Sequence, residues 1–150
     1  MPLDKALVVD DVSLAEGALG RSVPRAGVAL IRPPVIFKDG AVTLEATPAL
    51  GLAYLSSYLK KHGHATKVID AMGEALNNVW SPEGYPGFKC QGLTFDEVYE
   101  MIPKNTQVIG ITAMFSGEWP IVRDMISFIS KKFPKALIVA GGEHITAVSE

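Results

Sequence analysis

Four short apolar segments constrain the fold of this chain more than any other feature. They lie at residues 28–31, 67–69 with its flanks, 108–111 and 136–140. Their apolar residues are continuous and do not alternate with polar ones, which is typical of parallel strands that helices cover on both faces. We therefore expect these four segments to form one parallel sheet.

Three predicted helices separate the strands. The first covers residues 47–63 and opens at Thr47, a capping residue followed by proline. The second opens at Thr94, which makes a capping-box pattern with Glu97, and the third covers residues 119–133. The first helix also carries an apolar stripe made of Leu52, Leu55, Tyr58 and Leu59. Strands and helices alternate, so right-handed crossovers predict an open, doubly wound α/β sheet.

Two segments do not follow this alternation. Residues 1–27 form an N-terminal extension with a possible strand at 6–9, ahead of the predicted domain at 28–150. Residues 73–92 are rich in glycine, proline and asparagine, which predicts a long surface loop. The last predicted strand is followed by few residues, so we expect the usual fifth strand to be lacking. Its open edge favours either covering by residues 6–9 or a homodimer.

Composition excludes several classes of function. Fourteen basic and sixteen acidic residues give a net charge of -2, so a nucleic-acid partner is not expected. Cys90 is the one cysteine, which rules out an internal disulfide, a thiolate-bound iron–sulfur cluster and a cysteine-rich zinc site. The N-terminus does not resemble a signal peptide and no apolar stretch is long enough to span a membrane. We expect a cytoplasmic protein with no membrane partner.

The segments that follow the four strands form the candidate ligand site, because doubly wound sheets bind ligands beyond the carboxyl ends of their strands. The residues in these positions are Arg32, Pro33, Pro34, Asp70, Thr112, Ala113, Met114, Phe115, Ser116, Gly141, Gly142, Glu143 and His144. None of them forms a catalytic triad or a metal-ligand pattern, and the chain has neither a Gly-x-Gly-x-x-Gly motif nor a Walker loop. We therefore predict a binding site without a catalytic residue or a metal ligand of its own.

Each of these residue types also has a structural interpretation. The proline pair stiffens the exit from a strand and holds the next residues extended. Gly141 and Gly142 suit a tight turn, but they also allow close approach of a ligand, which is the interpretation we favour. A single histidine such as His144 is more often a hydrogen-bonding residue than a metal ligand. His62 and His64 are expected at the surface, and Trp119 in the core.

Three strings in fixed order resemble a known family. They are VALIRPPV, TPALGLAYLSSYLKKHGHATKVIDA and QVIGITAMFSGEWPIVRDMISFISKKFPKALIVAGGEHIT, and the resemblance extends over roughly residues 28–147. They resemble the N-terminal cobalamin-binding domain of cobalamin-dependent radical-SAM enzymes. The resemblance implies a flavodoxin-like (Rossmann-like) sheet that receives the nucleotide tail of cobalamin and leaves the corrin facing a radical-SAM barrel in cis.

The resemblance also assigns positions to the candidate residues. Residues 32–34 would lie beside the corrin or its tail, residues 112–116 along the tail groove, and residues 141–144 under the ribose and phosphate. The Asp-x-His-x-x-Gly motif that supplies a lower axial histidine is missing, so no protein imidazole is expected on cobalt. The Cys-x3-Cys-x2-Cys motif is missing too, so S-adenosylmethionine and a 4Fe-4S cluster would belong to a downstream barrel. The chain would then be the cobalamin-binding module of a larger methyltransferase or ring-forming enzyme.

Two alternatives stay open at this stage. The string KALVVDD resembles the acidic opening strand of receiver domains, although no aspartate ends the strand at 108–111. A flavodoxin-like domain could also bind flavin or another protein. Phosphorylation by a small phosphodonor and the absorption spectrum of a bound cofactor distinguish these alternatives.

Overall fold

The computed structural model describes residues 25–41 and 47–148. The secondary structure in these ranges is β1 (Gly27–Arg32), β2 (Val35–Lys38), α1 (Leu50–Lys61), β3 (Ala65–Asp70), α2 (Ala71–Glu74), β4 (Val79–Trp80), β5 (Phe88–Gln91), α3 (Phe95–Met101), β6 (Val108–Thr112), a 3₁₀ turn (Ser116–Glu118), α4 (Trp119–Lys132), β7 (Leu137–Gly141) and α5 (Glu143–Val148). The possible strand at 6–9, and with it the covering of the sheet edge, lies outside the described residues.

The four predicted strands form one parallel sheet in the order β3-β1-β6-β7. In this register Arg32 pairs with Asp70, and Thr112 pairs with Gly141. The strand order reverses between β1 and β6, which is where ligands bind in open α/β sheets. The α/β prediction is confirmed, and the order agrees with a flavodoxin-like fold.

Helices α3 and α4 cover one face of this sheet. Alternate strand residues point to that face, and Ile31, Ile109 and Ile111 there are fully or almost fully buried. They pack in one cluster with buried side chains of the two helices, among them Met125 and Ile129. The opposite face carries the smaller cluster of Val28, Leu30 and Leu52, the last of which comes from α1.

The helix boundaries confirm two predictions and correct one. The capping box of α3 is present: Glu97 accepts a hydrogen bond from the Thr94 amide (2.7 Å), and the Thr94 hydroxyl accepts one from the Glu97 amide (3.4 Å). Helix α4 spans nearly the predicted residues. The prediction for α1 was wrong at its start, because the helix begins at Leu50 and no side chain caps it.

The apolar stripe predicted on α1 is only partly buried. Leu52 is buried, but Leu55 is 53% exposed and Tyr58 63% exposed. Helix α1 packs over β1 and β3 through Leu52, buried Ser56 and half-buried Leu59, and Leu55 and Tyr58 lie beside this contact face. This incomplete cover creates the candidate site described below.

The loop predicted at residues 73–92 was wrong. This segment contains β4 and β5, which pair with β2 in a three-stranded antiparallel sheet of order β2-β5-β4. Trp80 packs edge-on against Phe95 of α3 (5.9 Å between centroids), and the Tyr85 hydroxyl donates a hydrogen bond to Asp124 of α4 (2.5 Å). Strands of two to four residues are too short to show a hydrophobic period, which is why the sequence pattern missed them.

Strand β5 places Cys90 inside the core. The side chain is fully buried, and burial raises the pKa of its thiol to about 12. The thiol therefore stays protonated at neutral pH, and reactive cysteine chemistry is not expected there.

In the ranges that the structure describes, no helix has the length and apolar character needed to cross a membrane.

Candidate functional site

A groove of about 770 Å³ opens on the α1 face of the parallel sheet. Its floor is formed by residues of three neighbouring strands that point to this face: Val28 and Leu30 of β1, Val108 and Gly110 of β6, and Val139 of β7. One wall comes from α1 through Leu52, Leu55 and Leu59. The volume is within the range of about 300–1,000 Å³ found for small-molecule sites.

The groove is apolar inside and polar at its mouth. The mouth lies at the carboxyl ends of the strands, where Arg32, Thr112 and Glu118 line it. The far end lies at the start of the strands and is lined by Ala26 and His64. A ligand with a polar part followed by an apolar part matches this arrangement.

The predicted site residues fall into two groups. Those that line the groove are Arg32, Pro33, Thr112, Met114, Phe115, Gly141 and Gly142. Those that do not are Pro34, Asp70, Ala113, Ser116, Glu143 and His144. Pro34 and Ala113 are buried, and the side chains of Asp70, Ser116 and His144 hold residues of the mouth in place through hydrogen bonds.

Arg32 ties three parts of the chain together at the mouth. Its Nη1 donates to the Thr47 carbonyl (2.6 Å) and lies 3.5 Å from the Asp70 carboxylate. Asp70 in turn accepts from the Gly73 amide (3.0 Å) and so caps α2. The predicted capping residue Thr47 therefore contributes its carbonyl to the site. Because its guanidinium is already engaged, Arg32 fixes the shape of the mouth and supplies positive charge there.

The proline pair behaves as the structural interpretation predicted. Strand β1 is joined to β2 by Pro33 and Pro34 alone. The residues that follow the proline pair are extended and form β2. The three-stranded sheet is thereby anchored at the carboxyl end of β1. Both prolines are buried, and of the two only Pro33 lines the groove.

Gly141 and Gly142 differ in what a side chain would meet. Gly142 has φ +122°, and a Cβ there would lie 2.6 Å from the Ala113 carbonyl oxygen. Close backbone packing therefore requires glycine at 142 without any ligand. A Cβ on Gly141 would meet nothing within 4 Å, so this position is open to the groove.

His144 joins the segment after β6 to the turn after β7. Its Nδ1 is 2.9 Å from the Ser116 hydroxyl, and its ring lies 5.0 Å from that of half-buried Trp119. The His144 amide also donates to the Ala113 carbonyl (3.2 Å), and the Ala113 amide donates to the Gly141 carbonyl (2.7 Å). The expectation of a hydrogen-bonding histidine is confirmed. Within the described ranges, its buried Nε2 has no hydrogen-bond partner.

Two groove residues were not found from the sequence. Glu118 lines the mouth, and burial raises the pKa of its carboxyl while the charge of Arg32 acts in the opposite direction. Glu118 comes after β6, the strand that ends at Thr112. Extending the candidate segment 112–116 beyond Gly117 would have included it. His64 was expected at the surface but is half-buried, and its Nδ1 accepts from the Ala26 amide (3.2 Å). His62 is exposed as predicted.

These features define an α/β module, compatible with a flavodoxin-like fold, that has a candidate groove at its topological switch point. The chain is similar to a cytidylyl-2-hydroxyethylphosphonate methyltransferase from Streptomyces wedmorensis, with 28% identity over 99 residues, or 65% of this chain and 18% of that protein. It is also similar to an uncharacterized methyltransferase from Pyrococcus horikoshii, with 28% identity over 125 residues, or 82% of this chain and 23% of that protein. No family model and no solved structure matches it.

Both relatives are methyltransferases, and the chain spans less than a quarter of the length of either one. The similarity therefore indicates a module related to part of a methyltransferase.

Proposed function

We propose that this chain is the cobalamin-binding module of a larger radical-SAM methyltransferase. The observation that carries the proposal is the groove, which begins at the carboxyl ends of β1 and β6 and continues as an apolar channel along the sheet. The similarity to methyltransferases adds support. When bound, cobalamin would supply cobalt-centred methyl-transfer chemistry.

The residues of the groove fit the nucleotide tail of cobalamin. This tail has a phosphate and a ribose followed by a planar base, and the groove has a polar mouth followed by an apolar interior. The Thr112 hydroxyl and the Arg32 charge would lie near the polar part. The open space over Gly141 gives the backbone of the tail room to pass.

The segment after β6 would contact the corrin. Met114 is 46% exposed and Phe115 63% exposed, although both are large and apolar. Side chains of this kind at the rim of a groove commonly mark a binding surface. Ser116 and His144 would act by holding this segment against the turn after β7.

The radical-SAM barrel would be a partner in cis that holds S-adenosylmethionine and the 4Fe-4S cluster. The lengths of the two relatives are consistent with such additional domains. Under this proposal the chain positions the cofactor, and the reaction requires the barrel.

The proposal is tested by spectroscopic titration of the chain with hydroxocobalamin, with flavin mononucleotide as the comparison ligand. We expect saturable binding of cobalamin and none of flavin. Gly141→Val should weaken cobalamin binding by roughly tenfold or more, because its side chain enters the groove. Leu137→Val is the control, since it lies on the same strand and the same face but does not line the groove.

Absence of cobalamin binding by the wild-type chain would refute the proposal. Binding of flavin instead would favour the flavin-binding alternative. A mass increase after incubation with a small phosphodonor would favour the receiver alternative.

A further inference from the structure

The outer side of α1 carries an apolar stripe that the rest of the described chain leaves exposed. Leu50, Tyr54 and Tyr58 follow one another at four-residue spacing and are 64%, 76% and 63% exposed. Residues at this spacing lie on one face of a helix, so the three side chains form one ridge, which we call the outer stripe. Of its members only Leu50 also lines the groove.

The outer side of α1 differs from that of α4. A helix at a protein surface normally carries charged or polar residues opposite its buried stripe. Helix α4 follows this rule, and its exposed positions include Arg123, Ser127 and Lys131. Residues 50–59 of α1, in contrast, contain no charged side chain. A helix that is apolar on its outer side as well as on its inner side is normally covered on both, so we looked for a segment that covers the outer stripe.

The described chain begins beside the end of this helix. The Ala26 amide donates a hydrogen bond to Nδ1 of His64, and Nε of Arg25 lies 3.2 Å from the place that a Cβ on Gly63 would take. The residues that precede Arg25 therefore join the fold next to the carboxyl end of α1. The helix is about 18 Å long, a distance that about six extended residues span, so residues 1–24 are long enough to reach the whole stripe.

This preceding segment contains an apolar pattern that matches the outer stripe. Within residues 12–20, apolar side chains recur at helical spacing on one side of the pattern: Leu14, Ala15, Ala18 and Leu19. Ser13 and Glu16 fall on the other side. The two alanines are small enough to allow close contact with bulky tyrosine rings.

The charges of the two segments are complementary. Residues 1–24 contain four acidic and two basic side chains. Helix α1 contains Lys60 and Lys61 in its last turn and no acidic side chain. Opposite net charges favour the approach of the segment to the helix.

We propose that residues 12–20 pack on the outer stripe of α1 within the same chain. A segment that is tethered by a few residues to the end of the helix has an effective concentration on the order of millimolar there. This favours it over a second copy of the chain at ordinary protein concentrations. The proposal concerns another surface than the proposed function and does not depend on cobalamin binding.

The experiment measures how fast tetranitromethane nitrates individual tyrosines, which mass spectrometry identifies. Tyr54 and Tyr58 should react roughly tenfold or more slowly in the full chain than in a chain that lacks residues 1–20. Half-buried Tyr99 of α3 is the internal reference and should react equally in both chains. Equal reactivity of Tyr54 and Tyr58 in the two chains would overturn the proposal.

A pair of point variants tests which residues of the segment make the contact. Leu14→Asp places a charge on the apolar side of the pattern and should remove the protection of Tyr54 and Tyr58, as the deletion does. Ser13→Asp is the matched control, because it adds the same charge on the other side, and it should leave the protection intact. Protection that survives Leu14→Asp would contradict the proposed contact.

Cysteine pairs test the position of the segment. Ala18→Cys combined with Tyr54→Cys should form a disulfide within one chain under mild oxidation, and fully buried Cys90 does not compete. Ala18→Cys combined with Ser130→Cys, at an exposed position of α4 on the opposite face of the sheet, should not. Equal yields from the two pairs would overturn the proposal. A disulfide between two chains, or tyrosine protection that is lost on dilution, would overturn it in favour of a second copy.

Discussion

The two faces of the parallel sheet use the same strands in different ways. On one face Ile31, Ile109 and Ile111 meet the apolar sides of α3 and α4, and the interior is filled. On the other face Leu30 and Gly110 occupy alternate positions of the same strands, and α1 covers only β1 and β3. One face forms a core and the other forms a groove of about 770 Å³.

This difference shows how one sheet can separate stability from binding. Because successive side chains of a strand point to opposite faces, each strand can supply one set of residues to the core and another set to the groove. Changes on the two faces should therefore have different consequences, and the four predictions below test this, from the largest expected effect to the smallest.

The first prediction compares one aliphatic residue from each side. Ile129→Ala in α4 removes a fully buried side chain and should lower the free energy of unfolding by about 2–5 kcal/mol. Leu55→Ala in α1, where the side chain is 53% exposed, should cost less than about 1 kcal/mol. Urea denaturation measures both. Equal losses would show that the α1 face is as closely packed as the other.

The second prediction compares the adjacent glycines at the mouth. Gly142→Val should cost about 2–3 kcal/mol, because it combines a positive φ with a clash against the Ala113 carbonyl. Gly141→Val should change stability by about 0.5 kcal/mol or less, since its position is open. Thermal unfolding followed by circular dichroism measures both. A stable Gly142→Val chain would contradict the close backbone packing at this turn.

The third prediction concerns the hydrogen bond between Ser116 and His144. Ser116→Ala should cost about 1–2 kcal/mol, because it leaves Nδ1 of a buried histidine without its partner. Ser130→Ala is the control: this exposed hydroxyl donates to the Ser127 carbonyl, and its loss should cost less than about 0.5 kcal/mol. Equal effects of the two changes in urea denaturation would argue against a positioning role for His144.

The fourth prediction concerns the start of α3. Thr94→Ala should cost about 1 kcal/mol at neutral pH by removing the cap. Hydrogen bonds from the Thr94 backbone and side chain lower the pKa of Glu97 below its ordinary value of 4.5. The stabilisation is therefore complete above pH 4.5 and is lost as the pH falls through the lowered folded-state pKa.

Urea denaturation of wild type and Thr94→Ala at pH 7 and pH 3 checks this dependence. The difference between the two chains should shrink at pH 3, because protonated Glu97 no longer accepts both bonds. A difference that stays constant with pH would show that Glu97 does not take part in the cap.

The sequence predicted the elements whose pattern is local. The four parallel strands are continuous apolar runs, and the capping box at Thr94 needs only residues three positions apart. Sequence patterns missed the three-stranded sheet, since its strands are short and are stabilised by partners far along the chain. Trp80 on Phe95 and Tyr85 on Asp124 are contacts of this kind.

The candidate site was predicted in part for the same reason. The sequence placed the site at the strand ends, which can be read along the chain, and Arg32, Thr112 and Gly141 at these ends do line the groove. It could not show that Arg32 is already bound to Thr47 and Asp70, or that Gly142 is required by the backbone of Ala113. These facts depend on distances between segments.

The sequence by itself determined an α/β chain with a parallel sheet and a set of small, hydroxyl and apolar residues at one edge. Hydrophobic runs, caps and glycines act over a few residues, so their effects can be read along the chain. Only the tertiary structure decided that α1 leaves part of one face uncovered and that Leu30, Gly110 and Val139 meet there. The groove forms because α1 covers only part of the three strands that make its floor. The position of α1 is set by packing between residues that are distant in sequence.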